Sequence, residues 1–449
     1  MNNLKNMTYK YLYIDDNTPE NAKGITTGLE QEDVLKVIFR NPTGSWELER
    51  DDILSKEFEE YNGLIVDLNL EETPNEHQKH AKYKGSSLAQ EIRNISKAGE
   101  IAEIPIILLS ATVNLNKYFD KTNEDLFDLI VKRDELKDVF IPIRNKLIAL
   151  AGGYKKINEV KGKIDFSNLL LRDVKLEDLR MIAQLQLLSS FPTHTLSKFI
   201  VKHLLDQSGP LITQKLMATR LGIDIEKSDD WIKLISNFDF KYKGVFHEGW
   251  DRWWMSGLEK WWKQNMGPVS LRNTDAASRV SVISEKTGFR SLQPIQKTDK
   301  SRSNSFWTLC AGSQVAIDIV DGLLVADQDG KYPWQDKSYV SIEEALQPSS
   351  KSRWKELAVT RYDEAKKQIH EYFVFKTFFW GAGTVLMLAG LFFWMDSTYF
   401  DERIKINQHQ LQPPYSSKYV QCLSFVRKRI IWIVITMIVI ASVLWLLVG

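Results

Sequence analysis

Five short apolar stretches, alternating with helical patterns, occupy the first 150 residues of this 449-residue chain. Stretches of this length that are rich in β-branched and aromatic residues predict buried strands. Strands that alternate with helices predict a parallel sheet covered by helices on both faces. We therefore predict a doubly wound α/β domain with a five-stranded parallel sheet over residues 1–150. The predicted strands are Tyr11–Ile14, Val34–Phe39, Gly63–Leu70, Ile104–Ala111 and Phe127–Lys132.

Polar side chains recur at the carboxyl ends of these strands. Because the strands are parallel, the ends meet at one edge, where doubly wound sheets bind ligands. Neighbouring carboxylates repel one another unless a cation joins them, and Mg²⁺ prefers oxygen ligands. One acid could then accept a phosphoryl group, while a hydroxyl and an ammonium balance the charge of that group. The residues concerned are Asp15, Asp16, Asp67, Ser110 and Lys132.

Over residues 8–150 this order of residues resembles the response-regulator receiver domain. By that resemblance Asp67 is the phosphoacceptor, and Ser110 and Lys132 act on the phosphoryl group. The implied Mg²⁺ ligands are Asp15, Asp16, Asp67 and the backbone carbonyl of Asn69. The implied partner is a histidine kinase or a related phosphodonor protein.

The chain departs from the receiver pattern at three places. Arg133 stands where the family usually has a proline, and Leu129 where it has an aromatic residue. A polar insertion occupies residues 71–84. These differences leave open a second interpretation, a degenerate receiver that serves only for docking.

Residues 151–350 are predicted to form a mainly helical α+β middle domain in which no catalytic constellation is found. A helix and a turn followed by residues 216–223 resemble a helix-turn-helix, but the next segment, 224–230, is acidic. Acidic residues repel the phosphates of DNA, and the net charge of the chain is only +1, so no nucleic acid is expected as a partner. Five tryptophans lie within Gly249–Trp262, where we predict a helix whose aromatic face belongs to the core. A docking surface or a membrane-interface belt is the alternative.

The C-terminal part predicts a membrane hairpin. Residues 377–395 and 430–448 carry no charge and are long enough to span a bilayer. An amphipathic linker helix at 351–376 precedes them, and a polar loop at 396–429 separates them. We predict a multi-pass protein of the bacterial inner membrane, in contact with lipid, with its N-terminal domains in the cytoplasm. The basic residues of the loop oppose this orientation, and the two distant cysteines indicate reducing surroundings.

These predictions describe a membrane-anchored receiver protein that passes a signal from Asp67 to a two-helix membrane module, without enzyme activity of its own. A homo-oligomer is among the expected assemblies. The arrangement is similar to that of effectors in bacterial phage-defence systems, and this likeness implies disruption of the membrane. Two alternatives remain: a membrane-tethered scaffold or sensor, and an enzyme whose active site lies in the middle domain.

Overall fold

The computed structural model describes residues 8–75, 78–298, 301–325, 328, 330–346 and 357–358. The chain divides into two compact units, Met1–Ser341 and Ile342–Gly449. The fold described below belongs to the first unit. In the second unit, the described elements are the helix Ile342–Leu346 and the short strand Leu357–Ala358.

A five-stranded parallel sheet forms the centre of the N-terminal domain, which confirms the predicted α/β architecture. The strand order is β2-β1-β3-β4-β5, and each neighbouring pair is parallel. This order places a topological switch point between β1 and β3, where open α/β sheets bind ligands beyond the carboxyl ends of the strands. The strands are β1 (Tyr9–Ile14), β2 (Leu35–Arg40), β3 (Gly63–Val66), β4 (Ile106–Ser110) and β5 (Leu129–Lys132).

Five helices connect and cover these strands. The first of them begins where the Thr18 side chain caps the helix and Pro19 occupies its first position, a combination that favours helix initiation. The third ends at Gly99, whose φ of +82° suits glycine. The helices are α1 (Pro19–Leu29), α2 (Trp46–Ile53), α3 (Gly85–Ala98), α4 (Thr112–Tyr118) and α5 (Phe140–Val160).

Both faces of the sheet are buried, as expected for a parallel sheet. Along β1, Tyr11 and Tyr13 pack into one core, whereas Leu12 and Ile14 pack into another. Side chains that alternate in this way along a strand must point to opposite faces. The core that contains Tyr11 continues without interruption into the middle domain, so the two regions share one hydrophobic interior.

The middle domain is mainly helical, with short strand pairs, as predicted. Its helices are α6 (Phe166–Leu170), α7 (Leu179–Leu188), α8 (Thr193–Ile200), α9 (Gln214–Leu221), α10 (Trp231–Ser236), α11 (Met255–Asn265) and α12 (Ala276–Thr287). The antiparallel pairs are β6 (Leu211–Ile212) with β7 (Trp253–Trp254), β8 (Thr308–Leu309) with β9 (Ala316–Ile317), and β10 (Leu323–Val325) with β11 (Tyr339–Val340).

The tryptophan-rich segment is only partly helical. Trp253 and Trp254 form β7, and the helix begins only at Met255, so the prediction of one helix from Gly249 to Trp262 is wrong. The physical reason is that β6 supplies a pairing partner from a distant part of the sequence. Trp250, Trp253, Trp254 and Trp262 are all buried, which supports the core interpretation.

The receiver-like and middle domains are joined through α5, which extends ten residues past the predicted boundary at 150. A Cβ added at Gly153 would lie 2.1 Å from the ring of Phe246, so this glycine allows close packing of α5 on the middle domain. At the other end of the interface, the buried Glu103 carboxylate accepts the N–H groups of Thr193 and His194 at 2.8 and 3.0 Å. These residues begin α8, where a helix favours negative charge.

No helix among the described residues is long and apolar enough to cross a bilayer. The predicted linker helix at 351–376, the two predicted membrane spans and the loop between them lie outside the described residues, apart from the strand Leu357–Ala358. The membrane hairpin therefore stays a prediction.

Candidate functional site

The candidate site lies beyond the carboxyl ends of β1 and β3. Asp15 and Asp16 follow β1 directly, and Asp67 follows β3. The backbone N–H of Asp67 donates to the carbonyl of Ile14 at 3.0 Å, which holds the two strand ends side by side. The acidic residues predicted from the sequence are thus brought together by the parallel pairing of β1 with β3.

The carboxylates of Asp15, Asp16 and Asp67 are buried, and one oxygen from each lies within 4.8 Å of the others. Oxygen donors at this spacing suit a hard divalent cation such as Mg²⁺. The Oδ1 atom of Asp67 is buried and accepts no hydrogen bond from any described residue. The acidic triad therefore fits the Mg²⁺ site of a receiver domain.

A single guanidinium group contacts two of these acids. The Nη2 atom of Arg133 lies 2.6 Å from Oδ2 of Asp15 and 3.1 Å from Oδ1 of Asp67. A guanidinium suits this position because its planar fork of donors can serve two carboxylates while it remains charged. In the sequence, Arg133 differs from the receiver pattern only as a substitution for proline, and no local pattern indicates that it enters the site.

Burial and the neighbouring Asp15 charge raise the pKa of Asp67 to about 7. The Arg133 guanidinium acts in the opposite direction, because its positive charge stabilises the ionised carboxylate. A carboxylate that is difficult to ionise becomes easier to ionise when positive charge is added nearby. A divalent cation at the triad would therefore favour the nucleophilic form of Asp67.

The other two acids are held in place by their neighbours. Asp15 accepts a hydrogen bond from the Tyr13 hydroxyl and another, at 2.9 Å, from the N–H of Asn17. Asp16 accepts the backbone N–H groups of Glu72 and Thr73, both at 2.8 Å. The polar insertion that begins at residue 71 thus closes one side of the site and orients an acid of the triad.

Ser110 is the last residue of β4, and Asn69 lies three residues beyond the end of β3. Ser110 is fully buried, and its hydroxyl forms no hydrogen bond within the described part of the chain. Asn69 is also buried: its side chain bonds Glu72 and Lys84, and its backbone N–H donates to Oδ2 of Asp67 at 3.4 Å. Both arrangements are compatible with the predicted roles.

No contact between Lys132 and the acids is found among the described residues, and its predicted role at the phosphoryl group stays a prediction. Its side chain is about half exposed, and its ammonium pairs with Glu135 at 2.8 Å. The ion pair with Glu135, three residues later in the chain, holds the Lys132 ammonium away from the acids in this structure. Arg133, the next residue, supplies the positive charge at the acids instead.

Comparisons with known proteins add little to this description. No family model and no curated protein match the chain. Among solved structures, an adenylate cyclase from Rhodopirellula baltica is similar at 13% identity and a TM-score of 0.23, covering 34% of this chain and 98% of that one. The response regulator RcsB of Salmonella typhimurium is similar at 18% identity and a TM-score of 0.21, covering 40% of this chain and 76% of that one. ChrA, the response regulator of a heme-sensing two-component system, is similar at 15% identity and a TM-score of 0.20, covering 44% and 89%.

Scores this low support no functional argument, so any assignment rests on the site itself. The chain has a five-stranded parallel α/β sheet of order 2-1-3-4-5 and an acidic triad at its switch point. Its N-terminal domain is consistent with a receiver-like fold.

Proposed function

We propose that this protein is a receiver that is phosphorylated on Asp67 by a histidine kinase or a related phosphodonor protein. The observation that carries the proposal is the buried triad of Asp15, Asp16 and Asp67 at the switch point of the sheet. These three buried carboxylates form a group that carries more negative charge than the single Arg133 guanidinium in contact with two of them can balance. Such a group is costly to bury unless a ligand satisfies it.

The transfer itself needs only one nucleophile from this chain. A carboxylate oxygen of Asp67 attacks the phosphorus, and the bond from phosphorus to the donor nitrogen breaks. Its electron pair returns to the donor imidazole, which takes up a proton from solvent, and an acyl phosphate remains on Asp67. Asp15, Asp16, Asp67 and the Asn69 carbonyl would hold Mg²⁺, which when bound neutralises charge between the carboxylates and the phosphoryl oxygens.

The effect on the rest of the molecule follows from the shared core. Adding the charge of a phosphoryl group beside Asp15 and Arg133 changes the electrostatic balance at the edge of the sheet. The face of the sheet that contains Tyr11 and Tyr13 packs directly into the core of the middle domain. We therefore expect the middle domain to sense the change through packing rather than through a separate linker.

Uptake of beryllofluoride, a stand-in for the phosphoryl group, tests this function. We expect the purified full-length chain to bind beryllofluoride in the presence of Mg²⁺, and Asp67→Asn to abolish binding because it removes the anionic oxygen. ¹⁹F NMR of the bound species is the measurement. Asp33→Asn, at an exposed position outside the site, is the matched control and should bind normally. A folded wild-type chain that binds no beryllofluoride would show that the receiver chemistry is absent.

We further propose that residues 377–395 and 430–448 anchor the protein in the membrane, because both segments are free of charge and long enough to span hydrocarbon. Alkaline carbonate extraction of membranes measures this. The full chain should stay in the pellet, whereas a chain that ends at residue 376 should be released. Release of the full chain would contradict the proposed anchor.

A further inference from the structure

Two basic residues follow one another at the end of β5, and they have different surroundings. Lys132 is about half exposed and pairs with Glu135. Arg133 is mostly buried and contacts both Asp15 and Asp67. We propose that Arg133, and not Lys132, is the residue that binds the phosphoryl oxygens on Asp67. This inference rests on the proposed function and identifies the basic group that the phosphorylated site uses.

The strand register explains the placement of Arg133. Ser110 is paired with Lys132 across β4 and β5, so Arg133 comes one residue beyond the end of this pairing. That is the edge at which the acids of β1 and β3 also lie. The Lys132 ammonium pairs instead with Glu135 at 2.8 Å. Among the described residues, Arg133 is the basic side chain that forms an ion pair with Asp67.

Unpartnered polar atoms supply a second, independent observation. Oγ of Ser110 and Nε of Arg133 are both buried and form no hydrogen bond with described residues, and the contact printed for Oδ1 of Asp67 is its ion pair with Arg133. Buried polar atoms are normally hydrogen-bonded, so the unsatisfied hydroxyl and N–H group in this site indicate room for a further ligand. A phosphoryl group on Asp67 would bring acceptor oxygens to the hydroxyl of Ser110 and the N–H groups of Arg133. A guanidinium matches the geometry of phosphate oxygens in this role.

Arg133 also affects the binding of a cation. In its observed position it contacts oxygens of Asp15 and Asp67 that a divalent cation would use. Arg133 and a cation therefore compete for the same carboxylates before phosphorylation. Once a phosphoryl group is present, its oxygens give Arg133 a new partner and remove the competition. Loss of Arg133 should thus weaken phosphoryl binding without weakening cation binding.

These opposite effects separate binding of the phosphoryl group from simple structural damage. The experiment compares the full-length chain with Arg133→Gln, Arg133→Lys and Lys132→Gln, after circular dichroism has verified that each is folded. Calorimetry with Mg²⁺ alone measures the cation affinity. A titration with beryllofluoride at saturating Mg²⁺, followed by ¹⁹F NMR, measures the affinity for the phosphoryl mimic.

We expect Arg133→Gln to lower beryllofluoride affinity by about tenfold or more, the size of one charged hydrogen-bond pair. Its Mg²⁺ affinity should stay equal to that of the wild type or increase. Arg133→Lys should recover part of the beryllofluoride affinity, because it restores the charge but not the fork of donors. Lys132→Gln should stay within about twofold of the wild type in both titrations, since an exposed ion pair contributes little.

Three results would overturn the inference. If Lys132→Gln, and not Arg133→Gln, loses beryllofluoride binding, Lys132 is the functional cation although the receiver function stands. If Arg133→Gln weakens Mg²⁺ and beryllofluoride equally, or if neither it nor Arg133→Lys folds, the role of Arg133 is structural. If the wild-type chain binds no beryllofluoride, the proposed function itself fails, and this inference fails with it.

Discussion

Replacing Gly85 with alanine is expected to destabilise the N-terminal domain by about 3 kcal/mol, the upper range for overpacking a filled site. A Cβ at this position would lie 2.0 Å from the backbone oxygen of Asp67 and 3.0 Å from Cγ2 of Val66. The nearest atom belongs to the backbone and cannot rotate away, so β3 or α3 must shift. Because the displaced carbonyl belongs to Asp67, we also expect beryllofluoride binding to weaken.

Urea denaturation measures the stability, and the titration with beryllofluoride measures the site. Gly24→Ala is the matched control: a Cβ there would meet nothing within 4 Å, and the position lies in the exposed part of α1. Alanine favours a helix over glycine by up to about 1 kcal/mol, so this control should be neutral or stabilising. Equal denaturation midpoints for Gly85→Ala and the wild type would show that the close approach of α3 to β3 is not present.

The second large effect is expected at Asp128. Its carboxylate pairs with Arg93 at 2.9 Å, and both side chains are almost fully buried. It also accepts the Tyr154 hydroxyl and the backbone N–H of Ile106. Asp128→Ala would leave a buried guanidinium without its anionic partner. Removing one member of a buried pair typically costs about 3–5 kcal/mol, and we expect a loss of that size.

The exposed pair of Lys10 and Glu60 provides the contrast, with a comparable distance of 2.7 Å. Glu60→Ala should leave the urea denaturation midpoint close to that of the wild type, because water screens exposed pairs. Urea denaturation of both variants is the measurement. A small effect at Asp128, similar to that at Glu60, would mean that water reaches the Arg93 guanidinium. It would also weaken the case that Tyr154 of α5 is anchored to the sheet through this carboxylate.

The parallel sheet could be predicted from sequence because its signals are local. Apolar stretches such as Ile106–Ser110 are buried on both faces and carry their pattern within a few residues. The acids at the strand ends were equally predictable, since parallel strands must present the same ends at one edge. The convergence of Asp15, Asp16 and Asp67 could be predicted from the direction of the strands alone, without knowledge of distant contacts.

The basic residue of the site could not be predicted in this way. Lys132 and Arg133 are adjacent, and which of them faces the acids depends on where β5 ends and how the chain turns beyond it. The same limit applies to Trp253 and Trp254, which pair with a strand about forty residues earlier. The contact of Glu103 with the start of α8 joins residues 90 apart in the chain.

The sequence by itself determined the alternation of strands and helices and the set of carboxylates that converge at the edge of the sheet. It did so because periodicity and strand ends are properties of consecutive residues. Only the tertiary structure decided that Arg133 lies between Asp15 and Asp67 and that the middle domain shares a core with the sheet. Those outcomes depend on side-chain direction and on packing between segments distant in sequence, which no local pattern specifies.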